Sequence, residues 1–499
     1  MNPIPSGVVD RSVSRDGWAL FLACALTYAL FNYGGIRSPD GEVMFRTAQA
    51  LAERRTFAVE QPLAWESFGL PRGTDGRRYA IFGPGLPLAA APLVALAERC
   101  VPPAAEGANA RYPVSYYTGG GYADKSRAPA PPDARAHAVR FYVSFFNAFV
   151  AAGCVALFYF LTRRLGAARE GALFAALLLA FGSLLFPYAG TFFSEPLALL
   201  GILGSLYTLS TGTPAGCAMA GFFLGLSIAT HISSALFAPF WLAYAVAEGD
   251  SARHRVIRGA CFASGLALPL LLLGAHHYAR FGNIFETGRT ADPQMRYAAF
   301  VAPWRGLWGL LAGAGKGLLW SSPALLLALA AWPALHRARP KLAWTLSAAL
   351  LARLFFVASR SDWHGGFCLG PRLLLPAAAL ALLAVAFEYA NWTPRARRVA
   401  WAALLLCVLQ QIYFCTGEIF SFYLRLKWAG ERAGRDLFVG DALYLERACA
   451  PIEHLWRGEM GPWIWQGSGL SFWSAWSLAA GCAAALGLLA AWRWRRSQT

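Results

Sequence analysis

An all-α, polytopic membrane protein is the fold class this sequence predicts: a helical bundle of about 12 spans with amphipathic juxtamembrane helices on its outer face. Three observations predict it. Hydrophobic residues make up 57% of the 499-residue chain and charged residues only 14%, against about 25% in an ordinary soluble protein. Apolar runs recur at the length of roughly 20 residues that crosses a bilayer as a helix. Lys and Arg are segregated to alternate connecting segments, which is how cytoplasmic loops are marked. Disordered, collagen-like and small disulfide-stapled classes are excluded by the same composition. A net charge of +17 would point to nucleic acid in a soluble protein. Here the basic residues flank apolar runs, so the charge is read as topology and contact with anionic headgroups, and no nucleic-acid partner is expected.

Spans are expected near 18–34, 138–162, 170–188, 196–210, 215–231, 233–248, 258–278, 318–335, 342–359, 371–389, 399–417 and 472–492. The first is too long for a signal peptide, and no small-residue cleavage site follows it. With the N-terminus inside, the short inner segments carry Arg11 and Arg15; Arg163, Arg164 and Arg169; Arg253, Arg255 and Arg258; Arg337, Arg339 and Lys341; Arg395, Arg397 and Arg398; and Arg493, Arg495 and Arg496. Only the turn near 211–214 lacks one. The expected location is therefore the inner (plasma) membrane, multi-pass, with both termini cytoplasmic. The chain reads as one integral membrane domain over 1–499, with 35–137 as the first outer loop and 418–471 as the last long one. Tyr79 to Ala97 is apolar but broken by Pro84, Pro87 and Pro92. Counted as a span it would place every later Arg cluster outside, so it is expected to be an interfacial or re-entrant helix. Residues 126–135 are Pro/Ala-rich and read as a linker. Six of the ten cysteines lie inside apolar runs, where a thiol is a small hydrophobe. Cys100, Cys368, Cys415 and Cys449 fall in or near connecting segments, and their pairing is left open.

The ionisable residues carry the functional signal. Transporters keep paired charges near the bilayer midplane. Here the central parts of the spans hold almost none. Acids and bases cluster instead where helices emerge on the outer side: Arg37, Asp40, Glu42, Glu195, His276, His277, Arg280, Glu286, Lys316, Asp362, His364 and Arg372. That placement suits chemistry at the outer membrane surface on a lipid-linked substrate.

Asp40 stands in Ser38-Pro39-Asp40-Gly41-Glu42, just beyond the first span. An amphipathic pattern follows, with Met44, Ala48, Leu51 and Ala52 on one face and Arg46, Gln49, Glu53 and Arg54 on the other. Two readings stay open for Asp40: an acid favoured by capping and the helix dipole, or a carboxylate at headgroup depth able to take a proton from an acceptor hydroxyl. Glu42 is near enough to share either role. Ser194-Glu195-Pro196 reads first as a Ser cap with a first-turn acid, and Glu195 as a cavity candidate second. Asp362, His364 and the glycines of Gly365-Gly366 and Gly370-Pro371-Arg372 form a turn that lets backbone approach a ligand closely. Arg372 can pair bidentately with phosphate or snorkel to headgroups. Lys316, in Gly313-Ala314-Gly315-Lys316-Gly317, is not a nucleotide loop, since Leu310 and Gly317 stand where Gly and Ser/Thr belong. It is kept as a phosphate contact beside Arg37. His231 reads as a hydrogen-bonded core or interface histidine. Asn391-Trp392-Thr393 matches a glycosylation sequon but falls on the inner side.

An acid after the first span, an interfacial helix and then DGRRYAIFGPGLPLAAAPL (75–93) resemble membrane glycosyltransferases of the GT-C superfamily. The likeness is to bacterial relatives of dolichyl-phosphate-mannose protein mannosyltransferases and of the lipid A aminoarabinose transferase. It continues through LTRRLGAAREGAL (161–173), FSEPLALL (193–200), RFGNIFETG (280–288), GLWGLLAGAGKGLLWSSPALLL (306–327) and DWHGGFCLGPRLLLP (362–376), in that order. It departs where Gly41 separates Asp40 from Glu42 and where His231 stands in place of a common Lys. The resemblance implies an inverting transferase that moves a sugar from a polyprenyl-phosphate donor to a glycan, lipid or protein acceptor on the outer side. It assigns Asp40, with Glu42, to base catalysis. Arg372, Lys316 and Arg37 go to the donor phosphate, and Glu195, Glu286, Asp362 and His364 to the cavity. No metal motif is present, so no metal or other cofactor is expected to be obligatory, although a divalent cation could bridge Asp40, Glu42 or His364 to phosphate. Two other classes compete: a lipid-linked glycan flippase or transporter, which needs a polar path through the bundle, and an O-antigen-type polymerase or ligase, which should depend on outer-loop Arg and His.

Overall fold

The computed structural model describes residues 11–32, 34–36, 38–59, 69–102, 134–290, 299–416, 419–437 and 439–456. Arg37, residues 126–133 of the expected linker and the expected span 472–492 lie outside the described residues, while Ala134 and Arg135, the end of that linker, begin a helix. The backbone is helical. In chain order the helices are α1 (Arg11–Leu30), α2 (Pro39–Arg54), α3 (Gly85–Cys100), α4 (Ala134–Ser144), α5 (Phe146–Arg164), α6 (Arg169–Phe181), α7 (Leu185–Ala189), α8 (Glu195–Leu209), α9 (Pro214–Thr230), α10 (Ala238–Ala247), α11 (Ala252–Phe281), α12 (Trp304–Leu311), α13 (Leu318–Ser321), α14 (Leu325–Ala338), α15 (Pro340–Ala358), α16 (Leu375–Ala381), α17 (Leu383–Glu388), α18 (Pro394–Thr416), α19 (Ile419–Arg432), α20 (Ala442–Leu445) and α21 (Pro451–Trp456). Among the described residues, pairing between extended segments is limited to isolated bridges, such as Ala58 with Tyr79.

Five helical stretches are long and apolar enough to cross a membrane: Ala138–Arg164, Ala252–Phe281, Pro340–Ala358, Arg372–Asn391 and Pro394–Cys415. Shorter apolar helices are Glu195–Leu209, Pro214–Thr230, Ile232–Ala247 and Leu325–Ala338. The protein is a polytopic membrane protein. Several expected spans are broken inside. The run at 170–188 divides into α6 and α7, where the Ser183 hydroxyl bonds the Leu179 carbonyl and takes the Leu185 amide. The run at 371–389 opens with a 3-10 turn, Arg372–Leu374. Leucines 268, 271 and 272 of α11 stay more than half exposed, which suits a helix facing lipid tails rather than water.

Helix α9 packs against both α8 and α11, and α5 against α1 and α8. The α9–α11 contact is held close by two glycines facing each other's helix. A Cβ on Gly221 would lie 2.0 Å from the Phe262 carbonyl, and one on Gly265 would lie 1.9 Å from that of Ala218. Small residues that let backbones approach are how helices associate where lipid removes the hydrophobic drive.

The basic connecting segments meet at one end of the bundle. Arg169 pairs with Asp16, Arg258 donates to the Gly212 carbonyl, Arg339 to Leu165, Lys341 to Ala247, and Arg397 pairs with Glu170. The acidic and histidine-bearing segments begin α2 and α8 and follow α9 at the opposite end. There α3 lies against α2, burying Leu86, Ala90, Val94 and Ala97 against Met44, Phe45 and Ala48. Its 16 residues reach about 24 Å at ~1.5 Å per residue, short of the roughly 30 Å hydrocarbon core. Helix α2 buries more than the expected stripe: Val43, Phe45, Thr47 and Ala50 are enclosed too. Cys100, Cys368, Cys415 and Cys449 are all free thiols.

Candidate active site

Helix α2 begins with a Ser38 cap, whose hydroxyl accepts from the Gly41 amide at 3.0 Å, followed by Pro39 in the first turn. Because Ser38 does the capping, the Asp40 side chain is available elsewhere. Its Oδ2 accepts from Arg372 Nη2 at 2.7 Å. Arg372 is delivered by the turn at 362–371, where Gly365, Gly366 and Gly370 all have positive φ (69°, 80° and 54°). A side chain on Gly365 would press on Arg372, since its Cβ would lie 3.2 Å from Arg372 Cγ. The guanidinium rests over the Phe193 ring, 4.5 Å from the centroid, a cation–π contact that fixes its plane.

Glu195 adds a second carboxylate. Its Oε1 lies 3.6 Å from Arg372 Nε, and its side chain is 3% exposed. Ser194 makes no capping bond to α8, so the expected pairing of a Ser cap with a first-turn acid gives way to an acid turned inward. His231 ends α9. Its Nδ1 shares a 2.6 Å hydrogen bond with the Ser233 hydroxyl, and its Nε2 lies 3.9 Å from Glu195 Oε1. Ser194, Thr230, His231, His277 and Arg289 line a cleft with a largely apolar wall that includes Phe82, Ile228 and Leu273. The line Asp40–Arg372–Glu195–His231 thus leads to a cleft edged with polar groups.

Arg353, fully buried, steadies this line from behind. Its Nε and Nη2 donate to the Leu373 carbonyl and its Nη1 to that of Ser233, tying the Arg372 segment to the His231 segment.

Two known solved structures share this architecture at low sequence identity. ArnT from Cupriavidus metallidurans bound to undecaprenyl phosphate is 14% identical, with a TM-score of 0.50, over 91% of this chain and 76% of that one. The Archaeoglobus fulgidus oligosaccharyltransferase in its apo form is 12% identical, with a TM-score of 0.51, over 87% of this chain and 60% of that one. The chain shares the overall membrane fold of these two proteins. The chain matches somewhat over half the length of the archaeal enzyme. No family model matches the chain, and no curated protein matches it.

The other expected site residues fall outside the Asp40–Arg372 cluster. Asp40 and Glu42 are two residues apart on α2, and residues at that spacing do not face each other. Glu42 is therefore turned away from Arg372 into a clamp of two arginines. Arg140 bonds both its oxygens, Nε at 3.1 Å and Nη2 at 2.5 Å, and Arg46 Nε adds a third bond at 2.9 Å. Burial would raise its pKa, but the two guanidinium groups hold it down to about 2.

Lys316 is completely buried. Its ammonium donates to the Gly366 carbonyl at 2.7 Å, to the Cys368 carbonyl and to Cys368 Sγ, between the rings of Tyr423 and Tyr444. All three of its donors are used, so it fastens the glycine turn rather than reaching a headgroup phosphate. Burial lowers its pKa to about 8, against the opposing pull of Cys368. His364 stacks on Tyr444, with centroids 4.0 Å apart, and its Nδ1 accepts from the Gly366 amide. Burial, with Lys316 nearby, lowers it to about 3, so it is neutral. Asp362 takes two 2.7 Å bonds from Arg360. Burial pushes its pKa up, but Arg360 outweighs this and the value falls. Glu286 folds back onto the Gly288 amide and the Thr290 hydroxyl. Asp362, His364 and Lys316 therefore build the wall that presents Arg372, and Glu286 closes a local turn.

Among the described residues, no three His, Cys, Asp or Glu side chains gather as a metal site. Asp40, Glu42 and His364 are each engaged with a different partner and share no ligand position.

Two residues escaped the sequence reading. Arg353 is a lone charge in the apolar run of α15, and a buried charge in such a run is itself a signal of function. Arg140 gave no signal, since only the fold carries α4 to α2.

Proposed function

We propose that the protein is an inverting glycosyltransferase that moves a sugar from a polyprenyl-phosphate donor to an acceptor hydroxyl on the outer side of the inner membrane. Both termini are then cytoplasmic, and the Asp40 end of the bundle faces outward. The GT-C fold supports the class of reaction, and the undecaprenyl phosphate in the bacterial ArnT structure supports the carrier.

The pairing of Asp40 with Arg372 carries the proposal. It sets a carboxylate beside a guanidinium, each only about one-sixth exposed, at the end of the bundle where a lipid headgroup would sit. The chemistry needs both. Asp40 accepts the proton of the acceptor hydroxyl as that oxygen bonds to the anomeric carbon. The bond from that carbon to the phosphate oxygen breaks on the opposite face, so the configuration inverts. The electron pair goes to the phosphate, and Arg372 stabilises the charge that develops there. Remote binding of the prenyl chain in lipid contributes affinity, while the guanidinium acts most strongly on the transition state.

The test is to supply the purified protein, in lipid nanodiscs, with a panel of undecaprenyl-phosphate-linked sugars and a membrane glycolipid fraction. Release of free undecaprenyl phosphate, with an anomeric configuration in the product opposite to that in the donor, is the expected result. Retained configuration would overturn the inverting mechanism. Vectorial movement of the intact lipid-linked glycan without release would favour a flippase.

A further inference from the structure

The Arg372 guanidinium stands between two carboxylates and satisfies one of them. Nη2 bonds Asp40 at 2.7 Å, while Nε stops 3.6 Å short of Glu195 Oε1. Arg372 Nε and Glu195 Oε2 are both buried and both without a hydrogen-bond partner. A donor and an acceptor left enclosed and unbonded on two oppositely charged neighbours are a costly arrangement. Neither is open to a ligand from outside. A shift of the guanidinium toward Glu195 closes the 3.6 Å gap and gives Nε a carboxylate partner, and Asp40 is the partner it then gives up. Arg372 Cζ lies 4.5 Å from the Phe193 ring centroid, a contact with no hydrogen bond to hold the group in place. His231 Nε2 lies 3.9 Å from the same Glu195 oxygen.

We propose that Glu195 is a positioning residue that draws the Arg372 guanidinium off Asp40 when the donor phosphate arrives. The inference rests on the glycosyltransferase reading above. A planar guanidinium has two usable N–H edges. With Nε turned to Glu195, its Nη groups face the phosphate, and Asp40 Oδ2 becomes available to the acceptor hydroxyl. Glu195 acts through Arg372 and touches no substrate. Its charge balances Arg372 in the reacting state, as the charge of Asp40 does in the resting one.

Binding of undecaprenyl phosphate to the full-length protein in nanodiscs tests this. Simple electrostatics predicts that Glu195→Gln, which removes a negative charge near an anion, tightens binding. The exchange predicts the opposite: Arg372 stays locked on Asp40, and Kd rises about tenfold, close to 1.4 kcal/mol. Adding Asp40→Asn to Glu195→Gln removes the lock and should restore the affinity. Glu195→Asp, which keeps the charge with a shorter reach, should fall between. Variants are compared only when they match the wild-type protein in monodispersity and thermal midpoint, and a failure of Glu195→Gln to fold leaves the Glu195→Asp series to decide. Glu195→Gln or Glu195→Asp binding as tightly as the wild type, or no restoration by Asp40→Asn, would overturn the inference alone. No saturable binding to the wild-type protein would overturn the polyprenyl-phosphate reading itself.

Discussion

Arg372 Nη2 lies 2.7 Å from Asp40 Oδ2, although 332 residues separate them in the chain. Asp40 is set by a helix whose cap is made by another residue, Ser38. Arg372 is set by a glycine turn that a buried lysine and a buried arginine hold from two sides. The base and the cation of the proposed reaction are thus fixed by separate supports and meet at one point.

Replacing Arg372 separates a phosphate fork from a simple anchor. Lysine can keep an ion pair with Asp40, but it offers a point charge without the planar pair of donors. Arg372→Lys should weaken undecaprenyl-phosphate binding about tenfold, and Arg372→Ala more. Equilibrium binding to the folded variants is the measurement. Wild-type affinity in both would make Arg372 a snorkelling anchor.

Glu42 should matter for stability, and in a pH-dependent way. Its carboxyl is held at about 2, whereas its ordinary value is 4.5. On acidification the unfolded carboxyl protonates first, so the clamp's contribution is complete above 4.5 and is lost as the pH falls toward 2. The lowering corresponds to about 3 kcal/mol. Thermal unfolding in detergent should show the wild-type midpoint dropping between pH 5 and pH 2 more steeply than that of Glu42→Gln. At pH 7, Glu42→Ala should cost about 3–5 kcal/mol, because it removes the buried carboxylate that two arginines share. Parallel pH dependence in wild type and Glu42→Gln would contradict the clamp.

Much of the fold was legible because lipid imposes a crude rule: runs of apolar residues become helices, and their length can be counted. The breaks within the runs were not legible. They depend on single local bonds, such as the Ser183 hydroxyl between α6 and α7. At the site, Asp40, Arg372 and the glycine turn stood out because charged residues cluster at the outer helix mouths while the centres of the spans hold almost none. The division of labour did not stand out. Glu42 looked like a second base because it is near in sequence, yet the helical period turns it away. Lys316 read as a phosphate contact at the mouth of a span, yet the glycines around it let Tyr444 and the 366–368 carbonyls close around it. Partners that arrive from distant helices, as Arg140 does, leave no trace in local pattern.

Topology offers an independent check on which side the site faces. Arg77, exposed at the tip of the turn before α3, and Arg398, exposed near the start of α18, belong to opposite ends of the bundle. In a background without reactive native thiols, cysteines at these two positions should be labelled by an impermeant reagent from opposite sides, Arg77→Cys from the outside. Labelling of both from one side would contradict the proposed orientation.

The central claim is that Asp40 is the base, and Asp40→Asn tests it most directly. The amide keeps the size of the side chain and most of its hydrogen bonding but cannot take the proton. Release of undecaprenyl phosphate from the donor should fall by about 10²–10⁴-fold in protein that still folds and still binds the carrier lipid. Wild-type turnover by a well-folded Asp40→Asn protein would contradict the account and leave Asp40 as an ion-pair partner of Arg372 alone.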